Sequence, residues 1–276
     1  MSNSFQSERT KDFRRLHEAG CFVIPNPWDI GSARLLTQLG FPALATTSSG
    51  FAWSLGRSDN HVTLAEAVDH LRAIAASVPV PVNADFEGGF AVEPEGVARN
   101  VALAVSTGIA GISIEDSTLE ASAPLFDFEL AVDRVRAARQ AIDESGTGVL
   151  LTARSEGFLV GRPDLDETVR RLAAFAAAGA DCLYAPGIRT GEQVSTVVQA
   201  VAPKAVNVLV GGSYATVATL RALGVRRISV GGALARAAWA GFLAAAEEIA
   251  SEGSFTRLDQ AIPFANINAR FSNDQA

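Results

Sequence analysis

Asp85, Glu115 and Arg154 each close a short apolar run, in VPVNAD, ISIE and LLTAR. Side chains alternate along a strand, so Asn83 and Asp85 share one face, as do Ser113 with Glu115 and Thr152 with Arg154. Val82, Ala84, Ile112 and Ile114 take the opposite face. If the three runs are neighbouring strands, two carboxylates and a guanidinium meet at one mouth, each above a smaller polar residue. Asn207, in AVNVLV, faces the same way by the same count. Isolated buried charges are costly unless paired or bound to a metal. An Asp and a Glu within a few ångströms are therefore accommodated by a divalent cation, and oxygen ligands alone select a hard ion such as Mg2+, with Mn2+ as a substitute. Glu87, two residues past Asp85, and Asp59, in the loop after the second strand, are placed to hold metal-bound water. The competing arrangement is an ion-pair network in which Arg154 neutralises Asp85 and Glu115.

Thr46-Thr47-Ser48-Ser49-Gly50 offers hydroxyls and N–H groups that suit a carboxylate or a developing oxyanion, or else forms a Ser/Thr/Gly turn. Phe51 follows directly and is counted with this cradle. Gly211-Gly212-Ser213 and Gly231-Gly232 suit either phosphate binding or tight turns. Scarcity excludes other chemistries. Three histidines, His17, His61 and His70, are too few and too scattered for a multi-histidine metal site. Of the two lysines, Lys11 lies in the N-terminal extension and Lys204 precedes the seventh strand, away from a catalytic face, which argues against a Schiff-base aldolase. Cys21 and Cys182 sit in apolar runs and read as small buried residues. A net charge of −7 without a Lys/Arg run argues against nucleic-acid binding. No apolar stretch reaches 18 residues without a charge, and the start is polar, so a cytoplasmic, non-membrane protein is expected.

What must position these residues is a repeating unit. Strands are predicted at 21–25, 43–47, 80–85, 109–115, 149–154, 181–185, 205–210 and 226–231. Helices are predicted between and after them at roughly 29–39, 63–77, 94–106, 128–143, 165–178, 191–200, 213–222 and 232–250. Thr63 and Glu66 have capping-box spacing, and Gly40, Gly108, Gly179 and Gly224 stand where helices stop. Eight strand–helix units predict a single (β/α)8 barrel, whose active face is the C-terminal strand ends; an open doubly wound sheet is the rival. The barrel is expected over about 20–250 of a single 1–276 domain, with an extra helix near 4–19 and a tail at 251–276.

With those elements in order, PNPWDIGSARL, TSSG, Asp59, NADFEGGF, GISIED, LTARSEGF and GADCLYAPG together resemble the isocitrate lyase/phosphoenolpyruvate mutase superfamily over roughly residues 20–250. The resemblance implies a magnesium-dependent barrel, its eighth helix often exchanged between subunits, that makes or breaks C–C or C–P bonds beside a 2-oxo carboxylate. It implies Asp85 as direct metal ligand, with Asp59, Glu87 and Glu115 on metal-bound waters. Ser49 and Gly50 would cradle the substrate carboxylate and oxo group, Arg154 would clamp it, and Asn207 would stand against a substrate carboxylate, as in some lyases.

The loop after strand four departs from the family. Where lyases carry Lys-Lys/Arg-Cys-Gly-His, this chain reads DSTLEASAPLFDFE, and Pro186 stands where lyases have a glutamate. The expected function is a C–C lyase acting through an enolate on a small 2-oxo or 2-hydroxy di- or tricarboxylate. Oxaloacetate decarboxylation or hydrolysis, a phosphonate or phosphoenolpyruvate reaction, and non-catalytic 2-oxo acid binding are the alternatives. Glu156, Tyr184 and Glu120 are unranked candidates for the proton donor. Phe255, Ile262, Phe264, Ile267 and Phe271 need a surface to cover, which suggests a homo-oligomer, a dimer or tetramer.

Overall fold

Each Val/Ile/Leu-rich run becomes a strand: β1 Phe22–Ile24, β2 Leu44–Ala45, β3 Val82–Asp85, β4 Gly111–Glu115, β5 Leu150–Arg154, β6 Cys182–Tyr184, β7 Ala205–Leu209 and β8 Arg227–Ser229. The computed structural model describes residues 2–272. All strand pairs are parallel, in the order β1-β8-β7-β6-β5-β4-β3-β2. The remaining seam is bridged by Ala45 N–H donating to the Pro25 carbonyl at 3.0 Å and by Asn26 Nδ2 donating to the Thr46 carbonyl at 3.0 Å. The result is the (β/α)8 barrel expected from the repeat, not an open sheet.

Helices cover the outside: α2 Ile30–Gln38, α4 Leu64–Ser77, α5 Pro94–Val105, α6 Phe128–Ser145, α7 Leu165–Ala177, α8 Gly191–Val201 and α9 Val217–Ala222. The Thr63–Glu66 capping box forms as read, and Asp29–Ser32, Thr190–Gln193 and Thr216–Thr219 make the same reciprocal bonds. The last pair explains a correction. Helix α9 starts at Val217 rather than 213, because Thr216 caps it. A second correction is α3, Ser48–Ser54, a short helix absent from the expected elements that begins within the TTSSG segment, where the sequence suggests either an anion cradle or a turn.

Two apolar layers hold the barrel. The larger lies between strands and helices and contains Ile112, Ile114, Leu183, Val206 and Ile228. The smaller, of Phe13, Ile24, Ala43, Ala45, Ala110 and Leu150, fills the barrel's N-terminal end. Phe13 comes from the first helix, α1 Ser2–Glu18, which plugs that end. A Cβ on Gly111 would stand 2.5 Å from the Phe13 ring, so only glycine admits the plug. Arg9 of α1 donates to the carbonyls of Ala75 and Val78, and Gln6 to those of Val105 and Ile109, tying α1 to helix ends.

The chain divides into two compact units, Met1–Gly232 and Ala233–Ala276. The second unit contains α10 Ala233–Glu252, a 3-10 turn at Thr256–Gln260 and α11 Phe264–Ser272. Glu248 organises it, accepting from the hydroxyls of Ser254 and Thr256 and from the N–H groups of Thr256 and Arg257. Those donors hold its carboxyl at about 2. Trp239, Phe242, Phe255, Ile262, Phe264 and Phe271 are all exposed. The tail's last four residues lie outside the described ones. Among the described residues no helix is long and apolar enough to cross a membrane.

Candidate active site

The C-terminal ends of the strands enclose a cavity of about 180 Å³. Its walls include Asn26, Thr46, Ser48, Ser49, Asp59, Asp85, Arg154, Leu159, Tyr184, Pro186 and Leu209, and its depth reaches Asn83, Ser113, Asn207, Arg227 and Ser229. The inward count along β3, β5 and β7 therefore places Asp85, Arg154 and Asn207 where expected.

Arg154 is the hub. Its Nη1 lies 2.8 Å from Asp85 Oδ1 and 3.0 Å from Glu115 Oε2, and its Nε donates to Glu156 Oε1 at 2.9 Å. The guanidinium also stands 5.3 Å from the Tyr184 ring centre. Burial alone would lower its pKa, but Glu115, Glu156 and Asp85 together hold it well above the ordinary arginine value. Glu156 is fixed from behind, since its N–H donates to Asp116, which pairs with Arg171 at 3.3 Å.

Asp85 is oriented by β2 and α3. Its N–H donates to Thr46 Oγ1 at 2.9 Å and its Oδ2 accepts from Ser48 N–H at 2.9 Å. Asp59 turns its carboxyl toward Asp85 and the Ser48 hydroxyl. Burial and Asp85 push its pKa up, while the Asn60 N–H and Ser48 pull it back. Glu87 sits at φ 48°, a left-handed conformation costing about 1–2 kcal/mol, with its carbonyl accepting from Glu115 N–H. Burial, then Asp85 and Asp59, push its carboxyl up to about 8. Burial likewise raises Glu115 well above the usual range, against the pull of Arg154.

Asp85, Glu115 and Glu156 thus hold one guanidinium, with Asp59 and Glu87 on the far side of Asp85's charge, and burial shifts Asp59, Glu87, Glu115 and Glu156 all upward. A carboxylate set whose charged forms are this disfavoured suits a cation. Among the described residues no three Asp, Glu, His or Cys side chains form a direct metal cage. Mg2+ binds through one or two carboxylates and keeps several waters. Asp85 retains lone pairs beside its two hydrogen bonds. The ion-pair network weighed from sequence is also formed, because Arg154 contacts both Asp85 and Glu115.

Not every expected residue reaches the cavity. Glu115 stands behind Arg154, and Glu87 lines a separate small pocket with His70 and Phe51. Phe51 stacks on His70 at 3.8 Å between ring centres, so it does not line the substrate cavity. Gly50 is buried, and its N–H is turned to Thr47 Oγ1 at 3.4 Å as the α3 cap. Ser49 does line the cavity, its hydroxyl 3.0 Å from Thr47 Oγ1. The Gly231-Gly232 loop serves close packing. Val230 and Gly231 spend their N–H groups on Asn26 Oδ1, and a Cβ on Gly232 would meet Ser49 and Trp53.

Of the candidate proton donors, Tyr184 lines the cavity. Burial pushes its phenol up to about 12, against the opposing pull of Arg154 and the Ser229 hydroxyl, so it stays protonated. Glu156 is committed to Arg154, and Glu120 stands exposed on the strand-four loop, where Ser117 bridges Leu125. Sequence reasoning passed over Asn26, Leu159 and Arg227. The same period-two count along RRISVG turns Arg227 and Ser229 inward.

Known proteins share this arrangement of strands and helices. A crystal structure from Burkholderia cenocepacia J2315, named only provisionally as a lyase/mutase, matches at a TM-score of 0.95 and 45% identity, covering 98% of each chain. An oxaloacetate decarboxylase of Bradyrhizobium diazoefficiens is 31% identical over 206 residues, 71% of this chain and 69% of that one. Oxaloacetate acetylhydrolase with its product oxalate matches at a TM-score of 0.85 and 27% identity, covering 96% of this chain and 94% of the other. The phosphoenolpyruvate phosphomutase family model matches residues 13–250, and the chain belongs to that family, within the enzyme superfamily of phosphoenolpyruvate mutase and isocitrate lyase.

Proposed function

We propose that this protein is a magnesium-dependent lyase that breaks a carbon–carbon bond beside the 2-oxo or 2-hydroxy carboxylate of a small di- or tricarboxylate, through an enolate. One observation carries this reading: Asp85, Arg154 and the protonated Tyr184 face one cavity of about 180 Å³. That volume favours a short dicarboxylate over a tricarboxylate. Magnesium held by Asp85, with Asp59, Glu87 and Glu115 on its waters, would supply a Lewis acid to the 2-oxo carboxylate. Arg154 binds the carboxylate and opposes the charge that collects on oxygen as the bond breaks. Ser49 and the α3 end fix the head group, and Leu159, Pro186 and Leu209 exclude water from it. Tyr184 donates its phenolic proton to the enolate carbon.

Decarboxylation or hydrolysis of oxaloacetate is the nearest second reading. It is favoured by the strand-four loop, which carries no Lys, Cys or His, and by similarity to proteins with those activities. Titrating Mg2+ with pyruvate, oxaloacetate or 2-oxoglutarate, followed by assays for pyruvate, glyoxylate, oxalate and phosphate release, tests both. No binding heat and no thermal shift with any acid would overturn the proposal. Phosphate release would favour a mutase-type reaction, and binding without turnover a sensor.

We further propose a homo-oligomer in which a second copy covers the apolar side chains of α10 and the tail, with the eighth barrel helix exchanged as the family resemblance implies. A particle of 28.8 kDa by light scattering, the mass of one chain, would end that reading.

A further inference from the structure

Two guanidinium groups line the central cavity, and their surroundings are opposite. Arg154 touches three carboxylates, whereas Arg227, 3% exposed at the base of β8, pairs with none among the described residues. Its hydrogen bonds are Nε to Asn207 Oδ1 at 2.9 Å, and Nη1 to Asn83 Oδ1 and His17 Nε2, both long at 3.5 Å. Among the described residues Nη2 has no protein acceptor. An arginine cannot shed its proton, and a buried cation without a counter-charge is costly. Among the described residues the plug beneath it is Phe13, Phe22 and a neutral His17, none of which supplies one. Above it, Asn83, Ser113, Asn207 and Ser229 line the cavity floor with neutral polar groups.

We propose that Arg227, with this polar floor, is an anion subsite that takes the distal carboxylate of the substrate. The inference rests on the reading of the site as one for 2-oxo or 2-hydroxy dicarboxylates and adds how it measures their length. The head group sits at Asp85 and Arg154, and the far carboxylate points down the barrel axis to Arg227. Asn207 then acts as the guanidinium's orienting partner, with its Nδ2 donating to Ser229 Oγ at 2.9 Å, and not as the carboxylate's own ligand.

Calorimetry with Mg2+ separates the two ends. Oxalate offers a head group only, and malate adds a distal carboxylate. In Arg227→Gln, malate affinity falls at least about tenfold more than oxalate affinity, the scale of a lost charge-assisted hydrogen bond. Arg227→Lys keeps the charge without the fork and falls between, which decides the matter if the glutamine variant does not fold. Equal loss of both ligands, or loss of neither, overturns the subsite. A rise in Mg2+ affinity with an unchanged malate-to-oxalate ratio also overturns it, by making Arg227 a counter-charge to the acidic mouth. If the wild-type protein binds neither acid, the reading of the whole site falls, and the subsite with it.

Discussion

The mouth and the floor of this barrel solve opposite electrostatic problems. At the mouth, three carboxylates touch one guanidinium, and Glu87 nearby is pushed up to about 8. At the floor, a guanidinium stands among amides, hydroxyls and a phenyl plug. Neither region is a stable ion pair in isolation, since each carries an excess of one sign in a place that water scarcely reaches. A cation at the mouth and an anion reaching the floor relieve both, and a magnesium–dicarboxylate complex carries both. On the proposed reading, the site suits a ligand with separated charges rather than internal neutrality.

The strongest way to break the contrast is to remove the mouth's oriented acid. Asp85→Ala should lower turnover by about a thousandfold or more and abolish metal-dependent acid binding, since one preorganised electrostatic contact alone is worth about 3–4 kcal/mol. Unchanged Mg2+ affinity by calorimetry would remove Asp85 from the metal site. Arg154→Ala strands Glu115 and Glu156, so unfolding in denaturant should show a loss of about 3–5 kcal/mol. The same variant should weaken the organic acid while leaving Mg2+ binding measurable. Equal loss of both would mean that Arg154 serves the ion network alone. Tyr184→Phe removes only a proton and should lower kcat about a hundredfold with little change in KM.

Those three positions, like the barrel itself, are legible because strand alternation is local. Short apolar runs set all eight strands, and a count of two along β3, β5 and β7 aims Asp85, Arg154 and Asn207 inward. Where local pattern fails, a tertiary partner decides. TTSSG reads as an anion cradle or a turn, yet Thr47 caps α3 and buries the Gly50 N–H that seemed available to substrate. Glu87 and Phe51 are turned toward His70 of α4, a packing choice that no spacing within their own segments encodes. Arg227 obeys the same alternation but lies near the start of its strand, the end usually assigned to stability. Only the insertion of Phe13 from α1, more than 200 residues away, makes that level a closed floor.

The smallest expected effect tests whether that floor excludes a second charge. His17 lies edge-on between Phe13 and Phe22, its Nδ1 2.7 Å from the Phe13 carbonyl oxygen. Burial, with Arg227 next, depresses its pKa from 6.5 to about 3. The unfolded chain takes up a proton at this residue below pH 6.5 and the folded chain does not. Stability is therefore full above pH 6.5 and declines as pH falls toward 3, by up to about 1.4 kcal/mol per pH unit from this group. His70, buried against Phe51 and held near 4, adds a slope of the same sign. His17→Phe keeps the edge-on packing and removes this group's share, so in denaturant unfolding between pH 6 and 4 the variant should lose less stability than the wild type as pH falls, by up to about 1.4 kcal/mol per pH unit. Arg227→Met should also flatten the slope, because His17 then loses the neighbouring cation that helps keep it neutral. Slopes unchanged in both variants would mean that His17 accepts a proton in the folded state, and that the floor tolerates two cations without an anion.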